Sequence, residues 1–281
     1  MKLLVICNRA AGGVDEEARE EVLRELRAHA EVVVAEEVGG FPDHIPVVMG
    51  GDGSLHHVVR TLHERGELGA RAIGLIPMGT GNDLARTAGI TPDNAVKAVL
   101  EGRERPMDLL VDDHDGVVVN AVHVGVGAEA SQRAQALKPV LARLAYRVGA
   151  VVAGVRARGW RLRVTVDGEC VADGTRRVLM VGLGNGRTIG GGTPLAPRAE
   201  PGDGLVDVVV SFAVGPLQRL AFGVRLRRGE HTRLGEVKVT RGRKVSIAGQ
   251  PVPVNADGEL EGKINRRTWT VLPGAWRLLS P

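Results

Sequence analysis

The sequence predicts an α/β nucleotide-binding domain with glycine-rich strand-to-helix turns, followed by a β-rich, antiparallel sandwich-like domain. Two short apolar runs break into glycines and then into helical patterns, at Val47-Val48-Met49-Gly50-Gly51-Asp52-Gly53-Ser54 and at Ile73-Gly74-Leu75-Ile76-Pro77-Met78-Gly79-Thr80-Gly81-Asn82-Asp83. From Val117 onward, valine-rich runs separated by Gly/Asp turns replace the strand–helix alternation, as in an antiparallel sheet. The length of 281 residues suffices for two domains with their own cores. The change of pattern places the boundary near Met107, giving a nucleotide-binding domain over 1–107, with the C-terminal tail free to pack back on it, and a substrate and metal domain over 108–281.

Along the first half, residues 2–8 read as a strand, since their apolar run is too short for a signal-peptide core. A glycine-bearing turn at 9–13 leads to a helix over 15–29 with Val22, Leu23 and Leu26 on one side, then a strand at 32–34 and a Gly/Pro loop at 36–46. The helix after Ser54 carries His56 and His57, which point about 100° apart and so make no joint metal site. Thr91 caps a helix with Pro92 in its first turn, and Gly102 ends it. A strand at 107–111 is followed by Asp112-Asp113-His114-Asp115-Gly116, whose acids read as a hairpin turn and not as a metal site. In the second half, residues 137–155 read as one apolar helix, and Asp167-Gly168-Glu169 as a hairpin tip.

Hydrophobic residues at 43% and charged residues at 25% are ordinary for a globular protein, which excludes a disordered chain. Aromatics at 2% leave too few rings for base stacking, so nucleic acid is not the expected partner. The net charge of +4 is modest, but arginines crowd residues 156–163, 225–233 and 241–244. Such clusters suit solvated loops and strand edges, or attraction to an anionic membrane surface. Cys7 and Cys170, far apart in strand-like runs, fit reduced thiols in a cytoplasm. No run approaches the ~20 apolar residues that span a bilayer, so a lipid substrate would be met by peripheral contact. The sequence leaves the oligomeric state open and is compatible with a homodimer.

The two glycine turns are where chemistry is expected. Glycines let backbone N–H groups approach an anion, and a helix N-terminus adds unpaired donors and partial positive charge. An acid in such a turn repels phosphate unless a divalent cation lies between them, so Asp52 and Asp83 point to Mg²⁺.

GGDGS at Gly50 to Ser54 and P-x-GTGNDLAR at Pro77 to Arg86 resemble the diacylglycerol kinase catalytic domain, shared by bacterial lipid kinases, sphingosine kinases and ceramide kinases. The resemblance implies that Gly51, Asp52, Gly53, Ser54, Gly79, Thr80, Gly81, Asn82 and Asp83 hold ATP and Mg²⁺. Asn8 and Gly12 keep their places in the family's first nucleotide turn, although Arg9 stands where the family has proline. The further helix that usually precedes the GGDG strand is replaced here by the loop at 36–46, so its ATP-touching threonine has no counterpart. His56 is read as pocket lining and His57 as structural. Asn120 to Gly127, Gly184-Asn185-Gly186 and Gly229-Glu230-His231 follow the family's second-domain spacing. By the same resemblance, Asp203 with the carbonyls of Glu200 and Leu205 holds a structural Mg²⁺, residues 137–155 wall an acyl pocket, Glu259 accepts the substrate's hydroxyl proton, and Asp257 orients it or shares its role.

The function implied is ATP- and Mg²⁺-dependent phosphorylation of a lipid hydroxyl such as that of diacylglycerol, in the cytoplasm at a membrane surface, with the site in a cleft between the domains. Two alternatives stand beside it. One is a kinase of the same fold acting on a sphingoid lipid, NAD or a small metabolite; the other is a nucleotide-binding protein without catalysis, suggested by the short 36–46 loop.

Overall fold

Three strands buried along nearly their whole length and a more exposed edge strand, with helices between them, build the first half. In the computed structural model, which describes residues 1–7, 16–128 and 159–281, β1 (Lys2–Ile6) pairs in parallel with β2 (Glu31–Ala35) and β3 (Ile45–Gly50), and β3 with β4 (Ala72–Pro77). All six residues of β4 are buried, as expected of a parallel sheet covered on both faces. The crossovers run through α1 (Glu16–His29) and α2 (Asp52–Glu64), and α3 (Asp83–Ala88) and α4 (Pro92–Glu101) follow β4. In α2, Leu55, Val58, Val59 and Leu62 are buried, the i, i+3, i+4, i+7 stripe of an amphipathic helix. In α4, Asn94 Oδ1 accepts the Thr91 N–H at 2.8 Å, the returning half of a capping box around Pro92, and Gly102 ends the helix.

The chain divides into two units, one of residues 1–109 and 272–281, the other of residues 110–271. The division falls within β5 (Arg103–Asp112) and within the final strand. The second unit continues with β6 (Val117–Val118), β7 (Ala121–Gly125), β8 (Trp160–Val166), β9 (Glu169–Val178), β10 (Met180–Gly184), β11 (Thr188–Ile189), β12 (Thr193–Pro194), β13 (Val206–Ser211), α5 (Pro216–Arg228), β14 (Val237–Gly242), β15 (Lys244–Ala256) and the start of β16 (Glu259–Ser280). Its strands run β14-β13-β10-β7-β15, and β15 also pairs with β8 and β16, every pairing antiparallel. Val, Leu and Ile fill its core around the buried Trp269, as a composition poor in aromatics requires. The predicted fold class is the one observed.

Of the two acidic turns singled out in the sequence, the first is closed by its own carboxylate and the second uses its carboxylate to hold a distant turn. Asp112 Oδ1 accepts the N–H groups of His114 at 2.8 Å and Gly116 at 2.9 Å, and its Oδ2 pairs with Arg267. Asp167, at φ +50° in the β8–β9 hairpin, accepts the N–H groups of Arg243 and Lys244. The last residues of β16 belong to the first unit, where Arg277 and Leu278 pair in parallel with β4. Asp108 fastens them: its carboxylate accepts the Gly274 N–H at 2.8 Å, and its carbonyl accepts the Trp276 indole N–H at 3.2 Å.

Candidate active site

In the first unit, β3 and β4 end in register, Gly50 opposite Pro77, so the two glycine turns lie side by side. The Met78 N–H donates to the Gly50 carbonyl at 3.0 Å. A Cβ added to Gly79 would lie 2.5 Å from the Gly51 Cα, and one added to Gly51 would lie 3.1 Å from the Gly79 Cα. Backbone meets backbone here, so a side chain at Gly79 would clash and one at Gly51 would press on the facing turn.

Asn82, in the left-handed region at φ +52°, closes the second turn. Its Oδ1 accepts the Gly79 N–H at 3.0 Å and its Nδ2 donates to the Gly79 carbonyl at 2.6 Å. The first helix begins at Asp52, two residues earlier than the sequence suggested, which sets that carboxylate in the first turn, where the helix dipole favours an anion. Asp52 Oδ1 also accepts the Leu84 N–H at 3.3 Å, tying the two turns together. Asp83 is buried and pairs with Arg86 at 3.1 Å, while Arg86 also reaches the Gly81 carbonyl.

A Cβ on Gly81 would sit 2.6 Å from Asp52 Oδ2 and 3.7 Å from Asp83 Oδ2. Two carboxylates therefore converge on a residue without a side chain, and this pair of hard oxygens fits Mg²⁺. Thr80 is exposed at the tip of the second turn, as Gly53 is in the first. Asn8, Gly12 and the helix expected over 137–155 lie outside the described residues. His57 is exposed and meets Glu37 at 3.2 Å, a surface contact.

In the second unit, the turn between β15 and β16 carries Asp257, Gly258 and Glu259. Asp257 holds φ +46° and its carboxylate accepts three consecutive N–H groups, those of Val119 at 2.6 Å and of Asn120 and Ala121 at 2.9 Å each. It clips the turn to the strand entry at β7. Glu259 is exposed, and its carboxylate has no hydrogen-bond or ion-pair partner among the described residues. The same turn rests on Asn255, whose Oδ1 accepts the Gly258 N–H at 3.1 Å and which stands opposite His123 across the β15–β7 pair. Asn120 and Asn185 anchor the neighbouring segment through the carbonyls of Thr188 and Val119.

At the loop before β13, the Glu200 carbonyl accepts the N–H groups of Gly202 and Asp203, and Asp203 Oδ1 accepts the Leu205 N–H at 3.1 Å. Asp203 Oδ2 pairs with Arg241, whose Nε reaches Asp207 Oδ2 at 3.1 Å. Burial pushes the Asp207 carboxyl up, with Arg241 opposing. The oxygens of Glu200, Asp203 and Leu205 are of the kind Mg²⁺ takes, and Arg241 already supplies positive charge to both carboxylates. Among the described residues no three His, Cys, Asp or Glu side chains converge as metal ligands, so a cation here would depend on backbone carbonyls.

Comparison with known proteins decides the family. The diacylglycerol kinase catalytic domain matches residues 2–111, and the YegS C-terminal NAD kinase beta sandwich-like domain matches residues 120–280. The chain belongs to the YegS-like lipid-kinase family. It is 34% identical over 240 residues to a Xanthomonas oryzae pv. oryzae protein described as "Probable lipid kinase YegS-like", covering 78% of this chain and 73% of that one. It is 28% identical over 244 residues to a diacylglycerol kinase of Mycobacterium tuberculosis, covering 84% and 76%. A solved diacylglycerol kinase structure from Bacillus anthracis superposes with a TM-score of 0.75 at 21% identity, covering 100% and 97%. An NAD kinase from Archaeoglobus fulgidus in complex with ATP gives 0.53 at 18% identity, covering 100% and 94%. Both structural likenesses are of fold.

Within this lipid-kinase fold, the glycine motifs alone drew attention to Gly51, Asp52, Gly79, Gly81, Asn82 and Asp83, and these residues are assembled in one place. The roles of Arg86 on Asp83, Arg241 on Asp203 and the three backbone donors on Asp257 were not read from the sequence. Arg86 lay inside the quoted motif, three residues beyond Asp83 on a helix, and that spacing was the available signal. Arg241 is brought to Asp207 only by the β13–β14 register, which pairs the two directly.

Asp257→Asn should act on stability. An amide nitrogen would face one of three backbone donors, leaving it unpaired, at a cost of about 2–3 kcal/mol, read as a lower urea midpoint. Asp203→Ala should cost less, about 1–2 kcal/mol, because Arg241 is partly exposed to solvent and keeps Asp207 as a partner. Melting with and without Mg²⁺ measures it, and a wild-type gain in Mg²⁺ that the variant lacks marks a bound ion. A melting temperature unchanged by the substitution counts against the loop.

His123 gives a pH prediction. Burial pushes its imidazole down from 6.5 to about 4, with Asn255 opposing. The unfolded chain therefore binds the proton first, so stability is complete above the ordinary histidine range and is lost as pH falls from there towards 4. Urea midpoints should drop between neutral pH and pH 5 by the equivalent of about 2 kcal/mol. In His123→Gln that difference should shrink.

Proposed function

We propose that this chain is an ATP- and Mg²⁺-dependent lipid kinase that phosphorylates the hydroxyl of a lipid alcohol such as diacylglycerol. The observation that carries the reading is the convergence of Asp52 and Asp83 on Gly81 beside two glycine turns packed backbone to backbone. Family membership and the description of the Mycobacterium tuberculosis relative as a diacylglycerol kinase support the substrate class.

In this reading, the N–H groups of Gly51 to Ser54 and of Thr80 and Gly81 hold the phosphates, with the Thr80 hydroxyl beside them, and Asn82, by taking the Gly79 N–H, keeps the second turn in shape. Asp52 and Asp83 would hold Mg²⁺, which supplies charge neutralisation at the transferring phosphoryl group. Glu259 accepts the hydroxyl proton as the alcohol oxygen attacks the γ-phosphorus and the bond to the ADP oxygen breaks. Asp257, with its carboxylate committed to three N–H donors, positions the turn on which Glu259 stands. Asp203, with the Glu200 and Leu205 carbonyls, braces the loop before β13, and a Mg²⁺ ion there would be structural.

The test is transfer of label from γ-labelled ATP, with Mg²⁺, to a panel of diacylglycerol, ceramide, sphingosine, phosphatidylglycerol and NAD. Organic-phase label with any of the first four supports a lipid kinase. Label on NAD alone replaces it with the other-alcohol reading, which the fold likeness to an NAD kinase keeps in view. No label on any acceptor, with ATP still bound, leaves a nucleotide-binding protein without catalysis.

A further inference from the structure

α5 is an unusual surface helix. Only Phe222 is buried along its 13 residues; Phe222 and the half-buried Leu226 hold it to a cluster that includes Leu195, Val209 and Val237. The Phe222 ring meets His231 edge-on at 5.7 Å, which fixes the helix on that side.

The opposite face is apolar and open. Leu217 is 81% exposed, Leu220 61% and Val224 47%. At spacings of three, four and seven they lie on one stripe, and the exposed Ala221 lies beside them. The seven large hydrophobic side chains exposed among the described residues include these three, so the patch is local to the helix.

Arg225, Arg227 and Arg228 stand exposed in the last turn, Arg228 on the apolar stripe itself, and α5 carries no Asp or Glu. The nearest acids in sequence are Glu230, just past the helix, and Glu236, whose Oε1 accepts from Gln218 at 3.0 Å. A favourable contact with the helix C-terminus explains arginines there, but it does not explain leucines left in water beside them.

We infer that α5 seats the protein on an anionic bilayer surface, with Leu217, Leu220 and Val224 in the interfacial layer and the three arginines on lipid headgroup phosphates. An apolar stripe combined with uncompensated positive charge is the pattern of a helix lying in the membrane interface. Among the described residues no helix is long and apolar enough to cross a membrane; the contact inferred is on the surface. The choice of occupant rests on the lipid-kinase reading, since a lipid acceptor must be reached where it resides.

The experiment is vesicle co-sedimentation of the full chain without ATP, using phosphatidylcholine alone and phosphatidylcholine mixed with phosphatidylglycerol, at low and high salt. The wild type should pellet with the anionic vesicles and be released by salt. The triple substitution Arg225→Gln, Arg227→Gln, Arg228→Gln should weaken binding about a hundredfold. Leu217→Ser, Leu220→Ser, Val224→Ser together should weaken it about tenfold or more, with unchanged circular dichroism because these side chains are solvent-facing.

Wild type that stays in the supernatant, or triple variants that pellet as well as wild type, would overturn the inference. So would light scattering that shows a dimer dissolved by the leucine substitutions, for the stripe would then be covered by a second copy. The two readings fail separately. Vesicle binding with no kinase activity rejects the proposed function alone, and transfer to detergent-dispersed lipid with no vesicle binding rejects the α5 surface alone.

Discussion

Glu259→Gln is expected to lower turnover by about 10²–10⁴ while leaving ATP affinity near wild type, the range for loss of a general base. The substitution keeps shape and removes only the capacity to take a proton. Glu259 is exposed and without a partner among the described residues, so the exchange breaks no contact and the melting temperature should hold. Asp257→Asn is the informative contrast, because that carboxylate accepts three backbone N–H groups. It should lose stability, with activity following the folded fraction. Initial rates on the identified acceptor, nucleotide binding by calorimetry and melting curves separate the two. Full activity in Glu259→Gln with a well-folded but inactive Asp257→Asn would pass the base role to Asp257.

Gly79→Ala is expected to abolish nucleotide binding, the second large effect. The added methyl would lie 2.5 Å from the Gly51 Cα and 2.9 Å from Asn82 Oδ1. The near atom on one side is backbone, which no rotamer change can move. Relief requires the two turns to separate, at a cost of about 1–3 kcal/mol or more in a packed site. Separation also spoils the spacing of the N–H groups proposed to face phosphate. Gly53→Ala is the control, since a Cβ there meets nothing within 4 Å, and it should bind ATP nearly normally. Equal affinity in Gly79→Ala and wild type would remove the paired turns from the nucleotide site.

The site was legible where chemistry demands glycine. Backbone-to-backbone approach excludes a side chain at Gly79 and crowds one at Gly51, so the sequence itself carries the contact, and strand-to-helix turns of parallel neighbours place the two motifs together. The fold class was legible because strands alternating with helices and strands following one another across Gly/Asp turns leave different patterns. Less legible were interactions fixed by register between distant segments. Asp257 meets Val119, Asn120 and Ala121 across more than 130 residues, and no local pattern announces that a carboxylate beside a proposed base serves as a clip. The exposed leucines of α5 were hidden too, because a helix with apolar residues on several sides does not say which side the sheet will cover. The arginine run at 225–233 was visible in the sequence, but its two readings differ only once the neighbours on the helix face are known.

The parallel sheet of the first unit takes its strand beside β4 from the last residues of the chain. Trp276 and Leu278 are fully buried there, and Asp108 receives both Gly274 and the Trp276 indole. During synthesis β4 therefore waits, one edge unpaired, while the whole of the second unit emerges from the ribosome. Closing so long a loop is slow rather than ruinous, since its entropy grows only with the logarithm of its length. A fragment ending at residue 109 would expose that edge permanently and empty the site of Trp276, making it a sticky, aggregation-prone body. The paired glycine turns can be isolated with their sheet intact only by shortening the middle of the gene, joining residue 109 to residue 272 through a linker.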